Sequence, residues 1–221
     1  MSKDKKITLT DAYSVETPDD SIQLYKAWAA TYDDDFIAAT GYVGYLNAAR
    51  FFLEQAERPD GPVLDVGCGT GVVGTALRDG GIAVVDGIDI SAAMLDQARN
   101  KKAQDGTLAY TRLIQADLTE TIAIESNTYA GIVSAGTFTH GHLGPESLDE
   151  LWRVAAPGAV CSIAINAAHF DSEGFSSKIA DDVKRSIVTE PDINIADTYT
   201  HRLSDVDDDD NQAMIVVCRV L

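Results

Sequence analysis

The chain has 221 residues, 45% hydrophobic and 24% charged, enough for one compact domain with a sizeable core. Its formal net charge of −18 opposes binding to a phosphate backbone. No run of ~20 apolar residues is present to cross a membrane, and "MSKDKKITLTDAYS" has positive charge without the apolar stretch of a secretory leader. Cys68, Cys161 and Cys218 fit neither a zinc spacing nor a disulfide framework, so no metal is expected and the cytoplasm is the expected compartment.

Residues 1–20 show no period and are expected as a flexible N-terminal arm. In "SIQLYKAWAATYDDDFIAA", Tyr25, Trp28, Tyr32 and Phe36 recur at three- and four-residue steps, the spacing of one helix face. A second helix is predicted over 44–57, with Leu46, Ala49, Phe52, Leu53 and Ala56 inward, and "RPDGP" ends it.

The period then changes. "PVLDVG" reads as a buried strand, "VVGTALRDGG" as a helix closed by glycine, and "AVVDGIDI" as a second strand. Ser91 is a good N-cap for a helix through "AAMLDQARNKKAQ". "LAYTRLIQAD" and "YAGIVSAG" follow as the third and fourth strands, "GPESLDELWRVA" as a helix and "PGAVCSIAIN" as a turn and fifth strand. Strands that alternate with helices and are nearly continuous in apolar residues predict an α/β fold, its parallel sheet covered on both faces. The last third differs. After a helix in "GFSSKIADDVKRSIV", the segments "NIADTYTHRLS" and "QAMIVVCRVL" read as paired strands joined by a solvated acidic loop, "DVDDDDN".

Most chemistry resides in "VLDVGCGTGVVG", residues 63–74. Glycines after a strand let the backbone approach a ligand closely, and the following helix offers unpaired N–H groups. From Gly69 the loop reads G-T-G-V-V-G, with Asp89 twenty residues on, which formally matches a dinucleotide fingerprint. Other positions suit a cationic ligand better. Asp65 stands inside the strand end, where a carboxylate opposes a pyrophosphate but favours a sulfonium or ammonium group. Asp117 ends the third strand in "QADL", where it can meet an exocyclic amine.

On these residues the segment from about 20 to 221 resembles the class I S-adenosylmethionine-dependent methyltransferases. Within them it looks like the small-molecule group whose N-terminal helix reads like "YKAWAATYDDDF". The family's glycine motif matches "VLDVGCGTG", its second-strand acid Asp89, and its third-strand motif "QADL". "AAPGAV" stands where the family more often has Leu-Lys-Pro-Gly-Gly. The resemblance implies a Rossmann-like, doubly wound sheet of seven strands, mostly parallel with an antiparallel last strand, helices on both faces and an N-terminal helical lid. It divides the chain into the arm at 1–20 and a methyltransferase domain at 21–221, with the lid at 21–58 and the α/β core at 59–221.

The resemblance also implies S-adenosylmethionine as cofactor, S-adenosylhomocysteine as product, and a small-molecule acceptor rather than nucleic acid or membrane, in a monomer or homodimer. Gly67, Gly69 and Gly71 would pass under the methionine portion, Cys68 belongs to the same cofactor-binding loop with its small side chain expected to point away, and Asp65 would orient amides or water near the ammonium. Asp89 would accept the ribose hydroxyls. Ile90 and Met94 would pack on adenine, Asp117 and Leu118 would address its edge, and Ser134 and Ala135 would line the methyl side. Tyr25 and Tyr32 would close from the lid, with Trp28 mainly packing.

The loop "SAGTFTHGHLG" places His140 and His142 after the fourth strand, where the family binds acceptors, and a neutral histidine there can take a proton. A substrate-contacting or merely exposed role stays open for both, and His169 is a weaker candidate for the same rim. "SAGTF" also departs from the Asn/Asp-Pro-Pro-aromatic motif of amino-methylating DNA enzymes. Two rivals remain: an NAD(P)-dependent oxidoreductase, for which a recognisable Tyr-x-x-x-Lys pair is lacking, and a non-catalytic cofactor-binding protein of the same fold.

Overall fold

The computed structural model describes residues 7–56, 59–204 and 207–221. The apolar runs form β1 (Val63–Val66), β2 (Val85–Asp89), β3 (Arg112–Gln115), β4 (Tyr129–Phe138), β5 (Ala155–Asn166), β6 (Asp192–Asp197) and β7 (Gln212–Arg219). They make one sheet in the order β3-β2-β1-β4-β5-β7-β6. β7 runs antiparallel to both its neighbours, β5 and β6, and the other pairs are parallel. The strand order reverses beside β1, where its neighbours are β2 and β4, and that is where an open parallel sheet leaves a crevice at its carboxyl end.

Successive side chains of a strand point to opposite faces, so each strand feeds two cores. Leu64, Val66 and Ile132 join Leu148, Leu151, Phe175 and Ile179 on one face. Val63, Val85 and Val133 join Ala48, Ala49, Phe52, Leu77 and Leu95 on the other.

The first 20 residues depart from the expected arm. Residues 1–6 lie outside the described residues, but α1 (Leu9–Tyr13) and α2 (Pro18–Trp28) begin inside the segment. Thr17 and Asp20 satisfy a helix start reciprocally, and Thr8 donates both its amide and its hydroxyl to Asp11, which makes two short helices possible where no apolar period is visible. A π-helix (Asp33–Ala38) follows, then α3 (Gly44–Gln55).

α3 is not part of the lid expected over 21–58. Its Ala48, Ala49 and Phe52 are buried against the sheet, while Leu46, expected inward, is 46% exposed. The elements that lie over the carboxyl ends of the strands are α1, α2 and the π-helix. There Trp28 and Phe36 join Tyr42 and Tyr199 in a third apolar cluster.

α4 (Val72–Asp79) and α5 (Ala92–Ala98) follow β1 and β2. α6 (Leu148–Val154) links β4 to β5, and α7 (Ala167–Ser172) and α8 (Phe175–Lys184) precede β6. α7 had no periodic signal; Asn166 starts it by accepting from the Ala168 N–H at 2.9 Å. The acidic loop is not wholly solvated either, because Asp210 is buried.

Candidate active site

A cavity of about 310 Å³ opens at the carboxyl ends of the strands, roofed by α1, α2 and the π-helix. That size is ordinary for a small-molecule site. β1 runs directly into its floor. Gly67 has φ +67°, and a Cβ there would collide with Thr137, whose hydroxyl donates to the Val66 carbonyl at 3.1 Å. Gly69 has φ +50° and opens on free space, with no atom within 4 Å of where a Cβ would stand. Cys68 also lines the floor, its thiol pushed up by burial and so held protonated. Gly71 does not line the cavity; it caps α4 and faces Tyr110.

Asp65 is also absent from the cavity wall. The strand pleat turns it beneath the loop, fully buried, where Oδ2 accepts from Tyr110 Oη at 2.6 Å and from the Gly74 N–H at 3.1 Å. Its Oδ1 has no partner. Burial pushes the carboxyl up to about 7 against the pull of those two bonds. The first turn of α4, where a dinucleotide would set its pyrophosphate, therefore already faces a carboxyl group.

Asp89 lies where the sequence placed it. Its Oδ2 accepts from the Gly69 N–H and its Oδ1 from the Ser91 N–H, each at 2.8 Å, so the end of β2 holds the glycine loop. Burial raises its pKa. Ile90, Met94, Asp117, Leu118 and Ala135 line the same cavity. Asp117 Oδ1 accepts from the Thr119 amide and hydroxyl at 2.8 and 2.7 Å, fixing the turn after β3. Ser134 does not reach the cavity: it is fully buried, and its hydroxyl donates to the Val66 carbonyl at 2.8 Å, tying β4 to β1.

The roof is aromatic. Tyr25, Trp28 and Tyr32 all line the cavity, and the Trp28 and Tyr32 rings meet edge-on at 4.9 Å. Tyr25 Oη lies 2.8 Å from His142 Nε2, and His142 Nδ1 lies 2.6 Å from the His140 carbonyl. A carbonyl only accepts, so Nδ1 carries the proton and Nε2 accepts from the phenol. Burial lowers the His142 pKa and raises that of Tyr25, which keeps both neutral.

His140 is not brought to the cavity. Its Nε2 faces Asp210 Oδ1 at 2.6 Å, Asn166 Nδ2 donates to that same oxygen at 3.0 Å, and its ring packs on His169 and Tyr13. What His140 gives the site is its carbonyl, which orients His142.

Sequence reasoning missed the ties that hold the roof down. Asp33, in the π-helix, accepts from the Thr70 hydroxyl at 2.6 Å and pairs with Lys101. Asp33 was legible in "YDDDF", but its partners lie 37 and 68 residues away. Tyr42 and Tyr199 also line the cavity, joined by an isolated antiparallel bridge no local pattern announces. Among the described residues no group of three or more His, Cys, Asp or Glu side chains could hold a metal. No described helix is long and apolar enough to cross a membrane.

The methyltransferase domain family matches residues 63–158. Methyltransferase-like protein 27 of Homo sapiens is 29% identical over 143 residues, covering 63% of this chain and 56% of that protein. The 18S rRNA (guanine-N(7))-methyltransferase of Bos taurus is 40% identical over 72 residues, 33% of this chain and 23% of that protein. The matched region thus spans little more than half of one relative and under a quarter of the other. A chain from the complex between the Haloferax volcanii Trm112 methyltransferase activator and a methyltransferase superposes with a TM-score of 0.62 at 19% identity, covering 89% of this chain and 97% of that one. At that identity the likeness is one of fold.

Proposed function

We propose that the chain is a class I S-adenosylmethionine-dependent methyltransferase and that it transfers a methyl group to a hydroxyl or amine of a small molecule. The observation that carries this reading is the joining of the Gly67–Gly69 floor, the Asp89 carboxylate and the Tyr25–Tyr32 roof around one cavity.

The residues present fit the cofactor. Gly69 leaves free space, Asp89 offers a carboxylate for paired hydroxyls, and the aromatic roof suits a sulfonium. Ile90, Met94 and Leu118 supply apolar walls for a nucleobase, with Asp117 at its edge. S-adenosylmethionine held there would supply a methyl carbon activated by positive sulfur, with S-adenosylhomocysteine as the product.

The chain's own contribution is alignment and exclusion of water. Alignment is worth on the order of 7–11 kcal/mol in favourable cases. Proton removal adds a factor of roughly 10² to 10⁴. The Nε2 lone pair of His142 is already taken by the Tyr25 phenol, so proton removal belongs to the pair: the acceptor's proton passes to Tyr25 Oη as the phenol's own proton passes to His142 Nε2, which makes His142 the base at one remove and His140 a positioning residue.

The rRNA methyltransferase relative keeps a nucleic-acid acceptor in view. The net charge of −18 and the aromatic roof over a cavity of about 310 Å³ favour a free small molecule.

Thermal denaturation with S-adenosylhomocysteine and with NAD(H) tests the cofactor, and release of S-adenosylhomocysteine across alcohols, amines, thiols and carboxylic acids tests the reaction. Stabilisation by S-adenosylhomocysteine alone, with turnover of an alcohol or amine, is expected. Stabilisation by NAD(H) alone supports the oxidoreductase, and binding without any turnover supports a non-catalytic binding protein.

A further inference from the structure

The acceptor half of the cavity carries its own chemical signature. Tyr13, Trp28, Phe36, Tyr42 and Tyr199 form much of its wall, beside the Tyr25–His142 pair. Among the described lining residues none is Lys or Arg, whereas Glu16, Asp89 and Asp117 are all carboxylates. Trp28 adds a buried indole N–H with no partner, a donor that suits an uncharged oxygen on a ligand.

Resting on the methyl-transfer reading above, we propose that the acceptor is a largely apolar small molecule that carries no negative charge, recognised by the aromatic wall and the Tyr25–His142 pair. A carboxylate or phosphate entering this space loses its hydration and meets no counter-charge, and Glu16 at the mouth adds a charge of the same sign. His142 does not rescue it, because its Nδ1–H is spent on the His140 carbonyl and Nε2 is an acceptor. The buried Asp89 responds to the same environment, its pKa raised by desolvation. A neutral or cationic ring body loses little on entry and gains aromatic contact.

Four probes of similar bulk test this: tyrosol (neutral), tyramine (cationic), 4-hydroxyphenylacetate (anionic) and inositol (neutral but polar throughout). Each is titrated into the protein alone and into the protein saturated with S-adenosylhomocysteine, with binding read by calorimetry and ligand-observed NMR. Tyrosol and tyramine are expected to bind at least about tenfold more tightly than 4-hydroxyphenylacetate or inositol, a gap of roughly 1.4 kcal/mol or more. Equal or tighter binding of the anion or the polyol overturns the proposal, as does a lack of binding by all four.

Glu16→Lys, at the exposed mouth, should narrow the penalty on the anion and leave S-adenosylhomocysteine affinity unchanged; an unaltered penalty overturns the electrostatic account. Failure of S-adenosylhomocysteine to bind defeats the methyl-transfer reading separately, since the titrations of the protein alone still report the charge preference.

Discussion

The phenol of Tyr25 donates to His142 Nε2 across 2.8 Å and so joins α2 to the loop after β4. One bond therefore couples the position of the roof to the orientation of the proposed base. Replacing His142 with Asn should lower kcat by about 10²-fold or more while S-adenosylhomocysteine affinity changes little. Burial holds His142 below the ordinary imidazole value of 6.5, so the neutral base persists as pH falls through that value. The kcat–pH profile should stay flat across 6.5 and fall only at more acid pH; a fall centred at or above 6.5 contradicts the assignment.

Asp33 fastens the same roof from the other side, through Thr70 of the glycine loop and Lys101 after α5. Its side chain is 44% exposed, so the ion pair with Lys101 contributes little stability by itself. The bond to Thr70 matters more, because it sets the distance between roof and floor. Asp33→Ala should leave the melting temperature nearly unchanged and weaken S-adenosylhomocysteine by roughly three- to tenfold, about one hydrogen bond. Calorimetry beside a thermal melt reads both, and a large loss of stability with intact affinity would refute the latch.

The strands and the glycine loop were legible because each rests on a local signal. A continuous apolar run marks a strand buried on both faces, as in Val63–Val66. Asp89 was legible for the same reason: its position at a strand end fixes where it points. Asp65 and Ser134 were not, because their roles depend on which face of a strand meets the cavity. Both turned to the interior, toward Tyr110 and the Val66 carbonyl. Asp210 looked like one of four solvated aspartates, yet Asn166 and His140, 44 and 70 residues away, draw it inside. Such long-range pairings leave no period in the sequence.

Asp89 anchors the Gly69 N–H and also faces the cavity, so its two consequences need separating. Asp89→Asn keeps a carbonyl oxygen for one amide but places an NH2 against the other. S-adenosylhomocysteine affinity should fall by about 10- to 150-fold, the worth of a charge-assisted hydrogen bond. Unchanged affinity in calorimetry removes Asp89 from the ribose role. A circular dichroism melt detects any accompanying loosening of the loop.

Asp65 gives a stability prediction whose sign is set by burial. Its carboxyl ionises near 3.8 in the unfolded chain and at about 7 in the folded one. Between those values the folded protein holds the extra proton, so this group's contribution to stability is complete below 3.8 and is lost as pH rises to about 7. A shift of that size corresponds to a few kcal/mol, on the order of 4. Asp65→Asn keeps an oxygen to accept from Tyr110 Oη and Gly74 N–H, and sets its NH2 where Oδ1 has no partner. That unpartnered NH2 costs about 1–3 kcal/mol, equally at every pH. The variant should therefore be less stable than the parent at about pH 4 and should match or exceed it at about pH 8, where the parent carries a buried charge. Urea unfolding of both proteins at the two pH values measures the crossover, and a stability difference that does not change with pH would show that Asp65 stays ionised throughout.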